Sequence, residues 1–318
     1  MMTVKKLRRR PASFLRLSGL SVEQFDEVLR PLKATYASFN CQRLARPQRQ
    51  RQVGGGRQFQ LALEERVLLV LVWVRLYVTN EVLGYLFGLD ASNISRNRRG
   101  ILPLVEAHVP VPCHLRCTGA RKPPGPSRRR RKIGTVAELL KQYPELRDLI
   151  VDTTEQPIQR PQHPRRQRQH YSGKKRRHTR KSLLGVSERG QIVCLSQSVP
   201  GRVHDYTLLH RARVDRRVPP AWGIRVDLGF KGIVRDYPHR RVSIPLRASK
   251  LHPLTRAQKR HNRRLARQRV AVEHALARVK KYRVIGALYR HPLSQYDAVL
   301  RTVCGLVNLR TQARLATV

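Results

Sequence analysis

Two aspartates stand directly after short apolar runs: Asp152 follows Leu149, Ile150 and Val151, and Asp227 follows Ile224, Arg225 and Val226. Such runs predict strands, and two neighbouring strands that end together would bring the two carboxylates close. Like charges that close are costly unless a cation bridges them, and Mg²⁺ takes such hard oxygen ligands. A third acid is available in Glu273, the only acidic residue between positions 254 and 286. It lies beside an apolar stripe of Val272, Ala275, Leu276 and Val279, so it can point inward. Lys280 follows two helical turns along the same face, where a cation can hold a phosphate or the DNA backbone. An aspartate at a strand end is more often a turn residue than a ligand; the three acids together, in this order, are the specific signal.

The elements that would position them follow from periodicity. Residues 182–186 and 191–196 flank Glu188, Arg189 and Gly190 and predict a hairpin. Residues 203–212 read as a helix, 242–245 as a further strand, and 255–284 as a long basic helix. The expected order is strand, hairpin, helix, strand, strand, helix. Upstream, Ser21 with Gln24 makes a capping box before a short amphipathic helix over 21–32, and Thr135 with Glu138 makes another before a helix that Pro144 should end.

Residues 61–77 form a strongly apolar helical stretch that runs into TNEVLGYLFGLDASNISRNRR, 79–99. Leu83, Leu86 and Phe87 form the inner face of one helix, Gly88 a left-handed turn, and Leu89 and Ile94 the inner face of a second; Gly84 is small where the helices cross. That spacing suits a helix-turn-helix. Asp90 or Ser92 would cap the second helix, which then offers Asn93, Ser95, Arg96, Asn97 and Arg99, side-chain types that read base edges and grip phosphates. A helical hairpin with a solvated basic face is the plainer alternative.

Charge decides what such a surface meets. The 318 residues carry 66 Lys plus Arg against 20 Asp plus Glu, a formal charge of +46. This excludes an ordinary near-neutral metabolic enzyme and calls for a polyanionic partner, nucleic acid first. With 40% hydrophobic residues the chain can still build a core. Arg128, Arg129, Arg130 and Arg131 with Lys132 form a basic run inside a proline-rich linker, and Lys174, Lys175, Arg176 and Arg177 form a second run; both are expected to contact phosphates. The glycines at 54–56 lack the Gly-Lys-Ser/Thr ending of a phosphate loop. Cys113 and Cys117 lack a second ligand pair, so they read as inert rather than as a zinc site. The start leads into no secretory signal, and the apolar run 67–74 is far too short to cross a bilayer, which takes about 20 residues.

The motifs DTTEQPIQRP at 152–161, YSGKKRRHT at 171–179, SVPGRVHD at 198–205, VDLGFKG at 226–232 and RVAVEHALARVKKYR at 269–283 together resemble the DDE transposases, in the branch shared by insertion-sequence-five elements and Harbinger nucleases. The resemblance implies an α/β ribonuclease-H-like catalytic core, a mixed sheet flanked by helices, preceded by an all-α helix-turn-helix domain. It implies that Asp152, Asp227 and Glu273 are the catalytic acids and hold two Mg²⁺ (or Mn²⁺) ions for phosphoryl transfer. It makes His204 and Asp205 part of the signature. Read from the residues alone, Asp205 equally suits the first turn of a helix, where a negative charge meets free amides; it stands as auxiliary and as the rival for the second acid. Lys280, Lys281 and Arg283 would hold the strand.

The expected organisation is 1–57 as a helical segment and basic connector, 58–112 as the helix-turn-helix domain, 113–134 as a basic linker and 135–318 as the catalytic domain. The expected function is a transposase that binds its element's terminal inverted repeats, cleaves and transfers strands, and acts on double-stranded element ends and target DNA. A homodimer or larger assembly, a bacterial cytoplasmic and nucleoid-associated location and no membrane partner complete the expectation. The rival is a catalytically silent DNA binder, either a regulator or a domesticated relative. A structural RNA-binding protein would explain the charge but not the carboxylates.

Overall fold

The computed structural model describes residues 1–45, 59–118, 136–249 and 253–317. It divides into two compact units: Met1–Val111 with Lys281–Ile285 and Ala298–Val318, and Pro112–Lys280 with Gly286–Asp297. The glycine-rich connector, the Arg128–Arg131 run and Thr135 lie outside the described residues.

The first unit begins with α1 (Val4–Arg8), α2 (Pro11–Ser18) and α3 (Val22–Leu44). Pro11 opens α2, and Gly19 ends it at φ 82°, the asymmetry expected of proline and glycine. The Ser21–Gln24 capping box forms as expected. The helix it starts runs on through Pro31 to Leu44, well beyond residue 32. Its buried residues stop at Leu32, so the apolar signal fades while the helix continues.

Next come α4 (Leu63–Leu76), α5 (Asn80–Phe87) and α6 (Ala91–His108). Every residue of α4 from Arg66 to Val74 is buried, which is how a helix apolar on all sides must sit. Thr79 caps α5, accepting a hydrogen bond from the backbone N–H of Val82, and Gly88 closes it at φ 69°. A Cβ at Gly84 would collide with the carbonyl oxygen of Leu89. The two glycines therefore set the turn and the close approach of α5 and α6. Asp90 precedes α6 without a side-chain cap.

The second unit contains β1 (Cys113–Leu115), α7 (Val136–Gln142), β2 (Asp148–Pro157), α8 (Pro164–His170), β3 (Tyr171–Ser172), β4 (Arg177–Val186), β5 (Ile192–Ser196) and β6 (Val199–Pro200). It continues through α9 (Asp205–Ala212), α10 (Val214–Arg217), β7 (Gly223–Arg225), α11 (Ile233–Asp236), β8 (Val242–Ser243) and α12 (Arg256–Lys280). The chain ends with α13 (Arg283–Gly286) and α14 (Tyr296–Ala316).

The sheet order is β1-β5-β4-β2-β7-β8, with β3 and β6 also paired to β4. β2–β4 and β4–β5 are antiparallel, whereas β2–β7, β7–β8 and β1–β5 are parallel. This is the expected mixed sheet with helices around it. Residues 113–115, expected as the start of a linker, instead pair with Cys194–Ser196 and extend the sheet. Cys113 and Cys117 are buried in the core, and burial pushes both thiols up to about 11. The hairpin turns at Gly190, φ 80°.

Candidate active site

Register places the two aspartates. The last paired rung of the parallel strands β2 and β7 joins Ile150 to Arg225, and Asp152 and Asp227 each lie two residues beyond it. Side chains alternate with a period of two, so both continue the same face of the sheet. Asp152 does not end its strand, as the apolar run suggested; β2 continues to Pro157, paired with β4 throughout. Burial in β2 is continuous from Asp148 to Val151; beyond Asp152 the face of Thr153 and Glu155 opens, while Thr154 and Gln156 stay buried on the face of Asp152.

Each carboxylate is oriented by its own backbone. Asp152 Oδ1 accepts from the N–H of Thr153 at 2.7 Å, and Asp227 Oδ1 from the N–H of Leu228 at 2.7 Å. Between them lies Arg269 of α12: its Nη1 is 3.1 Å from Asp227 Oδ1 and its Nη2 3.9 Å from Asp152 Oδ2. Burial raises the pKa of Asp152, and repulsion from Asp227 and Asp205 adds to it; the Thr153 N–H and Arg269 pull the other way. The balance leaves its pKa above the ordinary aspartate value, with burial the main cause.

Asp205 opens α9 and His204 caps it, accepting from the N–H of Tyr206. The pair thus has the helix-start role read from the sequence, yet Asp205 also reaches the cluster. Its Oδ2 lies 4.0 Å from where a Cβ on Gly229 would stand. Its Oδ1 is 2.7 Å from Lys181 Nζ. Lys181 also lies 3.2 Å from Glu155 Oε1, directly across the β2–β4 ladder, and donates to Val203 O at 2.8 Å. Two carboxylates and one carbonyl thus surround its ammonium. Glu155 in turn accepts from Thr179 Oγ1. Sequence reasoning missed both: nothing distinguishes Lys181 from the chain's many other cations, and Arg269 opens the motif at 269–283, which was read for its acid.

Glu273 does not join the aspartates. It lies one helical turn past Arg269 on α12, and its side chain is exposed. Among the described residues no group of three or more His, Cys, Asp or Glu side chains is arranged to hold a metal ion. The side chain of α12 that reaches the pair is the cation, not the acid. Two adjacent carboxylates attract a guanidinium, whereas a third anion adds repulsion. By donor chemistry Asp152 and Asp227 fit a divalent ion: hard oxygens, paired across one guanidinium and preset by backbone hydrogen bonds. Lys280 ends α12 and is exposed.

The expected DNA-contacting residues divide. Arg96 and Arg99 are exposed on α6, and Asn93 and Ser95 are half-buried; Arg96 Nη1 donates to Asn93 Oδ1 at 2.7 Å. Asn97 is a correction: it is 5% exposed, its Oδ1 accepts from Arg66 Nε at 2.6 Å and its Nδ2 donates to Asn93 O. It braces the helices instead of facing solvent, because α4 supplies a buried arginine opposite it. Lys174, Lys175, Arg176 and Arg177 are all exposed at the turn into β4, where Arg176 takes φ 48°. Lys281 and Arg283 belong to the first unit and are exposed. No helix among the described residues is long and apolar enough to cross a membrane.

Known proteins agree with this layout. Residues 151–308 match the family model for the DDE superfamily endonuclease, and residues 59–110 match that for the helix-turn-helix of DDE superfamily endonuclease. The chain is 27% identical over 309 residues, 96% of its own length and 98% of the relative's, to a probable transposase for insertion sequence element IS702 of Microchaete diplosiphon. Helix-turn-helix and sheet thus each match the corresponding part of one superfamily, and the chain belongs to the DDE superfamily endonucleases, with its helix-turn-helix domain ahead of the endonuclease domain.

Proposed function

We propose that this chain is a transposase that grips the terminal inverted repeats of its own element and cuts, then rejoins, phosphodiesters at the Asp152–Asp227 pair. The observation that carries the reading is the shared register of the two acids, two residues past one paired rung and facing one guanidinium. Glu273, one turn from Arg269, would complete the acid set when α12 presents it to the pair.

Two Mg²⁺ or Mn²⁺ ions held by these acids would lower the pKa of a bound water and stabilise the oxygens that enter and leave in an in-line displacement. The chain's own residues do the rest. The backbone N–H groups of Thr153 and Leu228 keep the acids oriented, Lys181 holds Asp205 beside them, and Lys280 is free to meet a phosphate. Water attack would break the P–O3′ bond at the element's end and free a 3′-hydroxyl; attack by that hydroxyl on a target phosphodiester would join the element there, breaking the target's P–O3′ bond and releasing its 3′-hydroxyl.

In this reading residues 58–112 select DNA and 135–318 cut it. Arg96, Arg99, Asn93 and Ser95 read or grip the duplex, and Lys174–Arg177, Lys281 and Arg283 contact backbone. Bringing two ends together calls for a homodimer or larger assembly, working at the bacterial nucleoid. One observation favours the rival, a DNA binder that does not cut: the exposed Glu273 leaves the acid pair to Arg269.

Strand cleavage of labelled DNA carrying the element's ends, with and without Mg²⁺, separates the two. Wild type should cut only with Mg²⁺, and Asp152→Asn and Glu273→Gln should bind but not cut. Variants that cut as well as wild type contradict the assignment. A wild type that binds and never cuts supports the rival.

A further inference from the structure

Two buried cations touch the acid cluster, and they are held differently. Lys181, 8% exposed at its side chain, has two carboxylates and a carbonyl around its ammonium: Asp205 at 2.7 Å and Glu155 at 3.2 Å as ion pairs, and Val203 O at 2.8 Å as a hydrogen bond. Arg269, 14% exposed at its side chain, has five N–H donors, yet one carboxylate contact is 3.1 Å, the other is 3.9 Å, and its buried Nε has no hydrogen-bond partner. A guanidinium built permanently into a network would satisfy its fork, with bidentate geometry on at least one carboxylate. Lys181 is a fixed strut, and Arg269 is loosely seated.

The charge balance points the same way. One guanidinium offers +1 to two carboxylates. A divalent ion would supply the charge that Arg269 does not. The side chain rises from the middle of the 25-residue helix α12, so it can swing out by rotamer changes while the helix stays in place.

We propose that Arg269 is a displaceable counter-cation of the Asp152–Asp227 pair, competing with Mg²⁺ or Mn²⁺ for the same carboxylates and leaving them when the ion binds. This rests on the metal-holding reading of the pair. It makes metal affinity a property set by an arginine: the site stays charge-compensated without metal, and loading it costs the loss of one ion pair. Arg269 is accordingly a positioning residue, acting through the aspartates.

The test uses the full chain without DNA, so that no turnover intervenes. Mn²⁺ binding is followed by the electron paramagnetic resonance signal of the free ion, in wild type, Arg269→Gln, Arg269→Lys and Asp152→Asn. Arg269→Gln should bind Mn²⁺ about tenfold more tightly than wild type, the scale of one close, partly desolvated charge pair. Arg269→Lys, which keeps the charge, should stay near wild type, and Asp152→Asn should lose the site. A purely structural role would weaken binding in both Arg269 variants. Wild-type protein gives an independent readout should Arg269→Gln fail to fold: Mn²⁺ should speed phenylglyoxal modification of Arg269, read by peptide mass spectrometry, and should not do so in Asp152→Asn. Equal or weaker affinity in Arg269→Gln, or modification that Mn²⁺ leaves unchanged, overturns this proposal alone. Absence of any Asp152-dependent Mn²⁺ site overturns it together with the nuclease reading.

Discussion

The helix-turn-helix and the acid cluster both bury positive charge, and they compensate it in opposite ways. Around the helix-turn-helix, Arg66 and Arg98 are 4% and 7% exposed. The guanidinium of Arg66 lies 3.6 Å from the Phe59 ring centroid and donates to Tyr36 Oη and Asn97 Oδ1 at 2.6 Å each; that of Arg98 stacks 4.3 Å over Trp73. The named partners of Arg66 and Arg98 are rings and neutral oxygens, which hold a cation without cancelling it; Arg301, buried beside α6, instead meets the α6 carboxylate of Glu106 at 2.6 Å. Burial lowers the pKa of Arg66. At the acid cluster, Lys181 of β4 and Arg269 of α12 meet carboxylates. In a chain of +46 with 20 acids, acids gathered in one place matter. The helix-turn-helix keeps its positive field for a polyanion, and the cluster concentrates the negative charge that a divalent ion needs.

The comparison breaks first at the acids. Asp152→Asn or Asp227→Asn should lower single-turnover cleavage by about 10³-fold or more, the scale on which removing one member of a catalytic set acts. Affinity for the same DNA, measured by gel shift, should stay within about twofold of wild type. Variants that lose binding and cutting together would erase the division of labour.

The next effect concerns stability. Lys181→Met strands Glu155 and Asp205 without a cation and should cost about 3–5 kcal/mol in urea unfolding. Arg66→Met breaks contacts to neutral groups only and should cost about 1–2 kcal/mol. Equal costs would mean that the two buried cations are compensated alike.

Smaller still is the change in salt response. Arg96→Ala and Arg99→Ala should each reduce the slope of log K against log salt by about 0.9, with the cutting rate of saturated complex unchanged. A slope that stays put removes α6 from the DNA backbone.

The smallest effect is titrational. Because the folded state raises the pKa of Asp152, protonation favours folding: that contribution is fully present at low pH and is lost as pH rises through the raised value. In chelator, Asp152→Asn should therefore match wild type in acid and melt about 1–3 °C higher near neutral pH. A variant that melts lower at neutral pH would show that Asp152 is fully satisfied as an anion.

Local chemistry was readable in the sequence and long-range pairing was not. Gly84 and Gly88, the Ser21–Gln24 box and Gly190 each announce a local backbone requirement, and each is where it was expected. The apolar runs before Asp152 and Asp227 gave two neighbouring strands. The strand after Asp152 was hidden because its buried positions, Thr154 and Gln156, are polar, so the alternation does not register as hydrophobic. Asn97 looked like a surface reader because its partner, Arg66, lies on another helix. Lys181 is one of 66 cations and Arg269 opens a motif read for its acid; only the fold shows that both meet carboxylates. Glu273 was placed by its apolar neighbours on α12, but a stripe fixes a helix face only coarsely, and Glu273 lies at its exposed margin.

The most direct measurement puts a cutting metal in the site. Fe²⁺ can replace Mg²⁺ at carboxylate oxygens, and with ascorbate and peroxide it releases hydroxyl radicals that cleave the polypeptide near where it sits. The account predicts protein fragments ending close to residues 152 and 227, suppressed by excess Mg²⁺ and absent in Asp152→Asn. Fragments that end elsewhere, or that persist unchanged in Asp152→Asn, would contradict it.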